Sequence, residues 1–504
     1  MNRRKALLNI TTAIVFKVIV IVVGIVARSF LMRELGQEAT GLYSLYVSIL
    51  GFLSIAELGV GAAITFSMYK PIVEKDTNTV SALYYLYRKI YFSIFFIILI
   101  IGGLLTPFIP YFAKQNTGTF NIYLTYFLFL IAQLIPYTFA YKTSFINANL
   151  DNYITTAVHS SGQIIFRGLQ ILFLVLFKSF TLFLFAYIVG YLLEWLLTEI
   201  IFRLKYQKNL NSNKQISDEI KNEVVDKTKA MFMHKIGGTL INSVDSIIIG
   251  AFISVSILGI YTNYLVIMTG MFTVLSLIFT SITSIVGHSF AKNNKNVYYN
   301  QFKHIYFVNY FVAFVFFLGF FAVIDPVVNI LFTEVSILPR DIVLILTINY
   351  FIQFMRKATL TFRDGAGLFY HDRYKPLLEG ISNLILSIIF VLFWGIQGVL
   401  IATIITNLFI TYTIEPYVLY KYGFERKPTN FYILNYLLTG VFALVVLILY
   451  LVPLPKIENN FYAILIYGFG SVALSLLIFS VALLFSKKLR TMVKNLFNFR
   501  KLNV

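Results

Sequence analysis

Apolar runs of roughly 20 residues recur from one end of the chain to the other. That is the length a helix needs to cross ~30 Å of hydrocarbon. Short polar stretches separate the runs, and the ~10-residue alternation of a membrane β-barrel is not seen. The pattern predicts an all-α polytopic membrane protein with fourteen transmembrane helices. They fall at approximately 8–32, 41–66, 90–112, 120–141, 153–177, 181–202, 232–253, 259–288, 305–324, 342–362, 377–395, 398–420, 430–452 and 461–485. The long second and eighth spans are expected to tilt or kink. The first run lacks a small-residue cleavage site and reads as a retained helix, not a removable signal.

The longest polar stretch, Tyr206 to Lys229, mixes Lys with Asp218, Glu219, Glu223 and Asp226. It reads as a cytoplasmic linker in which a surface helix would fit. It divides the chain into a six-helix lobe (1–205), the linker (206–230), a second six-helix lobe (231–424), and two further helices with a basic tail (425–504).

Composition supports the membrane reading: 59% of residues are hydrophobic and 12% charged, about half the charge of a soluble domain. The chain has no cysteine, which excludes disulfides, thiolate zinc sites and iron–sulfur clusters. No cofactor is expected. The net charge of +19 raises the question of nucleic acid, and the location of the charges answers it. With the N-terminus inside, thirty of the 41 Lys and Arg fall in cytoplasmic loops and tails, among them Arg3, Arg4, Lys70, Arg88 and Lys487. Five fall outside: Arg33, Lys114, Lys178, Arg340 and Lys456. This positive-inside bias puts both termini in the cytoplasm. It also implies attraction to anionic membrane lipids, and gives no case for nucleic acid.

One phrase occurs twice. GLYSLY (41–46) returns as GIYTNY (259–264), 218 residues later. A second pair tests the match. NANL followed by DNY (147–153) returns as GAGL, FYH and DRY (365–374). Asn147 and Gly365 are again 218 apart, and a three-residue insertion then carries Tyr153 onto Tyr374. Each pair sits at an equivalent depth. The spacing implies an internal duplication of a six-helix unit. An even unit keeps its orientation, so the repeats are parallel. Transporters built this way hold substrate between two lobes and rock about it.

Six further segments carry a family resemblance: RELGQEATGLYSLY (33–46), FLSIAELGVGAAITFSMYKP (52–71), NSVDSIIIGAF (242–252), DRYKPLLEGISNLILSI (372–388), GIQGVLIATIITNL (395–408) and EPYVLYKYGF (415–424). In their order and positions they resemble the bacterial oligosaccharide flippases of the polysaccharide transporter family. That family lies within the multidrug/oligosaccharidyl-lipid/polysaccharide exporter superfamily. The resemblance implies transport of an undecaprenyl-pyrophosphate-linked oligosaccharide from the inner to the outer leaflet of a bacterial cytoplasmic membrane. It also implies a polysaccharide polymerase and glycosyltransferases as partners.

Ionisable residues inside spans are costly and mark cavities or partners. The bases are Lys17, Arg28, Arg167, Arg356 and Lys357. Lys17 and Arg28 are eleven residues apart, about three turns and ~16 Å along one helix face. These five are candidates for a cationic cavity that meets a pyrophosphate, Arg through its planar fork and Lys as a point charge. Snorkelling or interfacial anchoring is the alternative for Lys17, Arg28 and Lys357. The acids are Glu57, Glu194, Asp245 and Glu379. They read either as ion- or proton-coupling groups or as charge partners of Lys17, Arg28 or Arg167. Glycines beside Glu57 would allow close helix approach.

His159 and His288 read as interfacial polar residues. Metal ligation is not expected, since no second ligand stands at i+3 or i+4. Glu415-Pro416 and the two Tyr-Lys-Pro segments (69–71, 374–376) read as helix boundaries.

On the same fold, a cation-coupled multidrug antiporter and a lipid II flippase remain alternatives. A membrane glycosyltransferase or ligase would need a large external loop with paired carboxylates. Only the stretch holding Asp325, Glu334, Arg340 and Asp341 is polar enough to consider. No catalytic set is visible, so no enzyme activity is expected.

Overall fold

The structure is a computed structural model. It describes residues 3–57, 60–114, 119–210, 236–241, 243–291, 294–332, 337–452, 455, 457–485 and 490. Most of the expected linker, the first residues of the seventh span, Glu334 and nearly all of the basic tail lie outside the described residues.

Among the described residues the chain is all-helical, without a strand. Ten helical segments are long and apolar enough to cross a membrane. Two compact units can be distinguished, Met1–Thr262 and Asn263–Val504.

The first unit opens with α1 (Arg3–Leu53), which covers two expected spans. At Gly36 its backbone turns to φ 79° and ψ −169°, a conformation that side chains with a Cβ disfavour. The expected second span, 41–66, is itself broken once. A 3₁₀ turn (Ser54–Glu57) separates α1 from α2 (Val60–Glu74). α3 (Thr77–Leu105), α4 (Ile122–Leu134), α5 (Ala140–Ala148), α6 (Asn152–Phe177) and α7 (Phe180–Lys205) follow. Their core is aromatic: Tyr46, Tyr126 and Phe129 are almost wholly buried, and Phe129 meets Tyr187 edge-on at 5.3 Å. The unit also takes in α8 (Ser243–Ile253) and the start of α9 (Val255–Ala291). α9 is the expected eighth span and runs as one continuous helix, about 55 Å long at 1.5 Å per residue.

The second unit contains the rest of α9, then α10 (Lys295–Leu331), α11 (Arg340–Gly365), α12 (Lys375–Thr406) and α13 (Tyr412–Val418). α14 (Thr429–Leu451) and α15 (Asn460–Phe485) complete it. Gly395 repeats the device of Gly36: at φ 56° and ψ −135° it interrupts α12 between two expected spans. The core is again aromatic, with Phe351 stacked on Phe442 at 3.7 Å.

Two proline readings need correcting. Pro71 lies inside α2 and Pro416 inside α13, so neither marks a helix boundary. π-helical turns at 407–411 and 419–424 flank α13. Such a turn accommodates the proline, which lacks an N–H and crowds the carbonyl four residues earlier. Pro376 does sit in the first turn of α12, where a missing N–H costs nothing.

Candidate functional site

In the first unit, the repeated motif is built into a helix crossing. A Cβ on Gly41 would lie 1.9 Å from the carbonyl oxygen of Val255, and one on Gly259 would lie 2.2 Å from that of Gln37. Only hydrogen fits at either place. Beside the two glycines, Ser44 Oγ and Thr262 Oγ1 are 2.9 Å apart. Arg28 is buried and donates to both hydroxyls, to Ser44 at 3.2 Å and Thr262 at 2.5 Å.

Arg167 approaches the same helix from α6. Its Nη1 would come within 2.6 Å of a Cβ on Gly24, one turn before Arg28, about 6 Å along α1. Its guanidinium lies over the Phe166 ring at 5.6 Å. Its buried Nε has no hydrogen-bond partner among the described residues. Tyr187 is within electrostatic reach of both arginines, and its hydroxyl meets that of Tyr43 at 2.5 Å. Arg28 and Arg167 are thus brought together. Lys17, eleven residues before Arg28, has an exposed side chain.

The same unit holds a cavity of about 490 Å³. Glu57, Tyr91, Gln133, Tyr137, His159 and Tyr191 supply its polar lining. Tyr91 donates to Glu57 Oε1 at 2.5 Å. A Cβ on Gly61 would fall 2.7 Å from the hydroxyls of Tyr87 and Tyr91, so this glycine permits the close approach expected of it. Glu194 is buried and lies 2.9 Å from His159 Nδ1, while His159 Nε2 meets Gln163 at 2.6 Å. His159 is therefore a cavity residue joined to a carboxylate. His288 has an exposed side chain.

The second unit holds a denser charge cluster. Arg356 Nη2 lies 2.7 Å from Glu415 Oε1 and its Nε 3.1 Å from Glu415 Oε2, a two-pronged contact. Arg356 Nη1 reaches Asn407 at 3.0 Å and Glu379 at 3.5 Å. Lys375 Nζ lies 2.6 Å from both Glu379 and Glu415. Two bases and two acids thus neutralise one another where Lys375, Glu379 and Glu415 are all buried. Lys357 points elsewhere, its Nζ 4.8 Å over the Phe272 ring. Asp245, on α8, is half-buried.

Sequence reasoning takes both Glu415 and Lys375 as helix-boundary residues and neither as part of a site. A signal for Glu415 was present. Glu194 and Glu415 are 221 residues apart, as are Asp151 and Asp372, and this is the offset of Tyr153 and Tyr374. Both aspartates are buried. Asp151 binds Lys205 at 2.9 Å and Tyr206 at 2.5 Å, and Asp372 pairs with Arg363. The described acids of the polar stretch considered for a ligase are likewise paired: Arg340 meets Asp325 at 2.7 Å and Gln397, from α12, meets Asp341 at 2.9 Å.

A helical bundle of this make-up, with glycine-broken helices and arginines held inside it, defines a polytopic membrane protein with the fold of flippases and transporters. Residues 6–286 match the model of the polysaccharide biosynthesis protein family. The chain belongs to that family.

Solved structures share the fold. One is a lipid II flippase MurJ in an inward closed conformation, with a TM-score of 0.67 at 14% identity, covering 94% of this chain and 99% of that one. Another is an inward-facing multidrug resistance MATE family transporter of the MOP superfamily, with a TM-score of 0.60 at 13% identity, covering 76% and 90%. No curated protein matches the sequence.

Proposed function

We propose that the protein is a flippase for an undecaprenyl-pyrophosphate-linked oligosaccharide: a capsule, exopolysaccharide or O-antigen repeat unit. It works by alternating access in a bacterial cytoplasmic membrane. The proposal includes fourteen spans in two parallel six-helix lobes plus two helices, with both termini cytoplasmic. Membership of a polysaccharide biosynthesis family supports the substrate class.

The observation that carries the reading is that Arg167, from α6, brings its guanidinium against α1 at Gly24, one turn before the buried Arg28. Two guanidiniums on one stretch of helix suit the oxygens of a pyrophosphate. The neighbouring tyrosines and Gln133 suit sugar hydroxyls. Arg356, in its cluster with Lys375, would be a second station in the other unit, with Lys357 on the same helix turned toward Phe272. There an incoming pyrophosphate would compete with Glu415 and Glu379 for Arg356. Glycosyltransferases act before this step and the polymerase after it, and the flippase itself makes and breaks no covalent bond.

A second reading rests on Glu57 and Glu194. Carboxylates in and beside the first unit's cavity would suit a cation-coupled multidrug antiporter. A lipid II flippase is the same reaction on a different sugar.

The test is Arg167→Glu expressed in the native host. The flippase reading expects surface polysaccharide to disappear while membrane-inserted protein stays at the wild-type level. Normal export by that variant would refute the cationic site. Unchanged polysaccharide together with new drug sensitivity would favour the antiporter.

A further inference from the structure

The second unit contains a pocket that the transport reading does not use. It measures about 550 Å³ and lies between α10, α14 and α15. Phe302, Tyr310, Leu438, Val441 and Phe479 make its apolar wall.

Its polar groups gather at one end. Tyr299, Lys303 and Asn430 line that end. The Tyr299 ring has the Lys303 ammonium 4.7 Å away and the Arg426 guanidinium 4.4 Å away. Arg426 is also held by Asn296 at 2.8 Å. Lys295 and Lys427 stand on the same segments, and Glu425, the acid among them, pairs with Lys295. The rim therefore holds Lys303 and, against Tyr299, Arg426, with Lys427 and the Lys295–Glu425 pair on the flanking residues.

Depth can be read from the helices. Tyr299 and Tyr310 lie eleven residues apart on α10, and Asn430 and Val441 eleven apart on α14. Each interval is about 16 Å of helix, close to half of the ~30 Å hydrocarbon core. The pocket is thus one leaflet deep, with a cationic rim at one end and an apolar interior.

We propose that this pocket binds an anionic glycerophospholipid. One acyl chain fills the aromatic interior, and the phosphate rests on Lys303 and Arg426. Basic pockets between transmembrane helices on the cytoplasmic side are suited to such headgroups, and the positive-inside pattern puts Lys295, Lys303 and Arg426 on that side. The depth and charge fit a single-leaflet chain with a phosphate at its end. A polyprenyl carrier, whose chain is much longer than one leaflet, fits less well.

The experiment uses the full chain in mild detergent, with native mass spectrometry after titration with phosphatidylglycerol or phosphatidylcholine. Wild type should retain phosphatidylglycerol preferentially. Lys303→Gln with Arg426→Gln should reduce that retention on the order of tenfold and leave phosphatidylcholine unchanged. Ala482→Phe, which fills the pocket without altering charge, should weaken retention of both lipids. Lys70→Gln with Lys89→Gln, basic positions in the other unit, should change neither. A melting curve on each variant separates loss of lipid from loss of fold. Equal retention of the two lipids by wild type, or phosphatidylglycerol retention untouched by the rim and filling variants, would overturn the proposal. So would displacement of phosphatidylglycerol by undecaprenyl phosphate at equal concentration, which would give the pocket to the carrier lipid.

Discussion

Ser44 Oγ and Thr262 Oγ1 lie 2.9 Å apart. They occupy the same place in two copies of one motif, 218 residues apart in sequence. The glycines that precede them, Gly41 and Gly259, also face one another: a Cβ on Gly259 would fall 2.9 Å from the Gly41 amide nitrogen. The repeated phrase is therefore a packing device. Each copy is small where the other approaches, and each adds a hydroxyl that Arg28 binds.

Gly41→Ala and Gly259→Ala should both destabilise the protein. The new methyl meets backbone carbonyl oxygens at 1.9 Å and 2.2 Å, and backbone yields less readily than a side-chain tip. A cost of about 1–3 kcal/mol each is expected from overpacking. Gly103→Ala is the control, since no atom lies within 4 Å of its Cβ position. It should be neutral or gain up to about 1 kcal/mol from the stiffer helix. Melting temperatures in detergent by fluorescence-detected size-exclusion would decide. Equal melting of all three variants would mean that the crossing is looser than these distances.

The cluster around Arg356 calls for a different pattern. Glu415→Gln leaves Arg356 and Lys375 facing a neutral amide in a buried site. Loss of one partner from a buried ion pair costs about 3–5 kcal/mol. Arg356→Met should cost a similar amount by leaving Glu415 and Glu379 to share the single charge of Lys375. Together, Arg356→Met and Glu415→Gln leave Lys375 paired with Glu379 at 2.6 Å. The double variant should therefore melt closer to wild type than either single one. A double-mutant cycle measures the coupling, and additive losses would show that the four groups do not act as a unit.

Much of this was legible in the sequence, for definable reasons. Helix length and apolar content are local properties, so Asn152–Phe177 and Thr429–Leu451 match their expected spans within a residue or so. The family resemblance rested on segments spread over most of the chain, and the family match bears it out. Breaks within helices were less visible. Gly36 and Gly395 carry positive φ, yet other glycines in these helices keep helical geometry. Partner choice was not visible at all. Glu379 pairs with Arg356 and Lys375, and Glu194 with His159, instead of with Lys17, Arg28 or Arg167, because packing between helices chooses the neighbours. Pro416 read as a boundary since proline usually ends a helix, and the π-turns that accommodate it leave no simple sequence mark.

Outside the spans, Asp76 caps α3 by accepting from the Thr79 amide at 3.1 Å. Hydrogen bonds from Thr79, side chain and backbone, hold its carboxyl below the ordinary range. A depressed pKa binds fewer protons in the folded state. The stabilisation is thus present above the unfolded value and fades as pH falls through the folded one. Asp76→Ala should weaken the first turn by about 1 kcal/mol. Asp76→Asn should keep the cap and lose its pH dependence. Amide-exchange protection at the start of α3, corrected for intrinsic rates, would fall in acid for wild type and stay level for the asparagine variant. Identical acid profiles in the two proteins would contradict this account.

Arg28 poses the last question, whether it clamps the crossing or serves the substrate. If it is chiefly a clamp, removing it should loosen the structure. The geometry favours the other outcome. Each hydroxyl proton has a partner in its own helix without Arg28: Ser44 donates to Thr40 at 2.8 Å and Thr262 to Leu258 at 2.7 Å. Arg28→Met keeps a long side chain in the space and removes a charge that is expensive to bury. It should melt within about 1 kcal/mol of wild type, since apolar replacements of buried charges are often neutral. Surface polysaccharide should nonetheless be lost, because a thioether cannot bind phosphate oxygens. Arg28→Lys should restore part of the export as a point charge without the fork. Melting curves and quantified surface polysaccharide on the same strains separate the roles. An Arg28→Met protein that exports normally would remove Arg28 from the substrate path, and one that unfolds would make it a clamp.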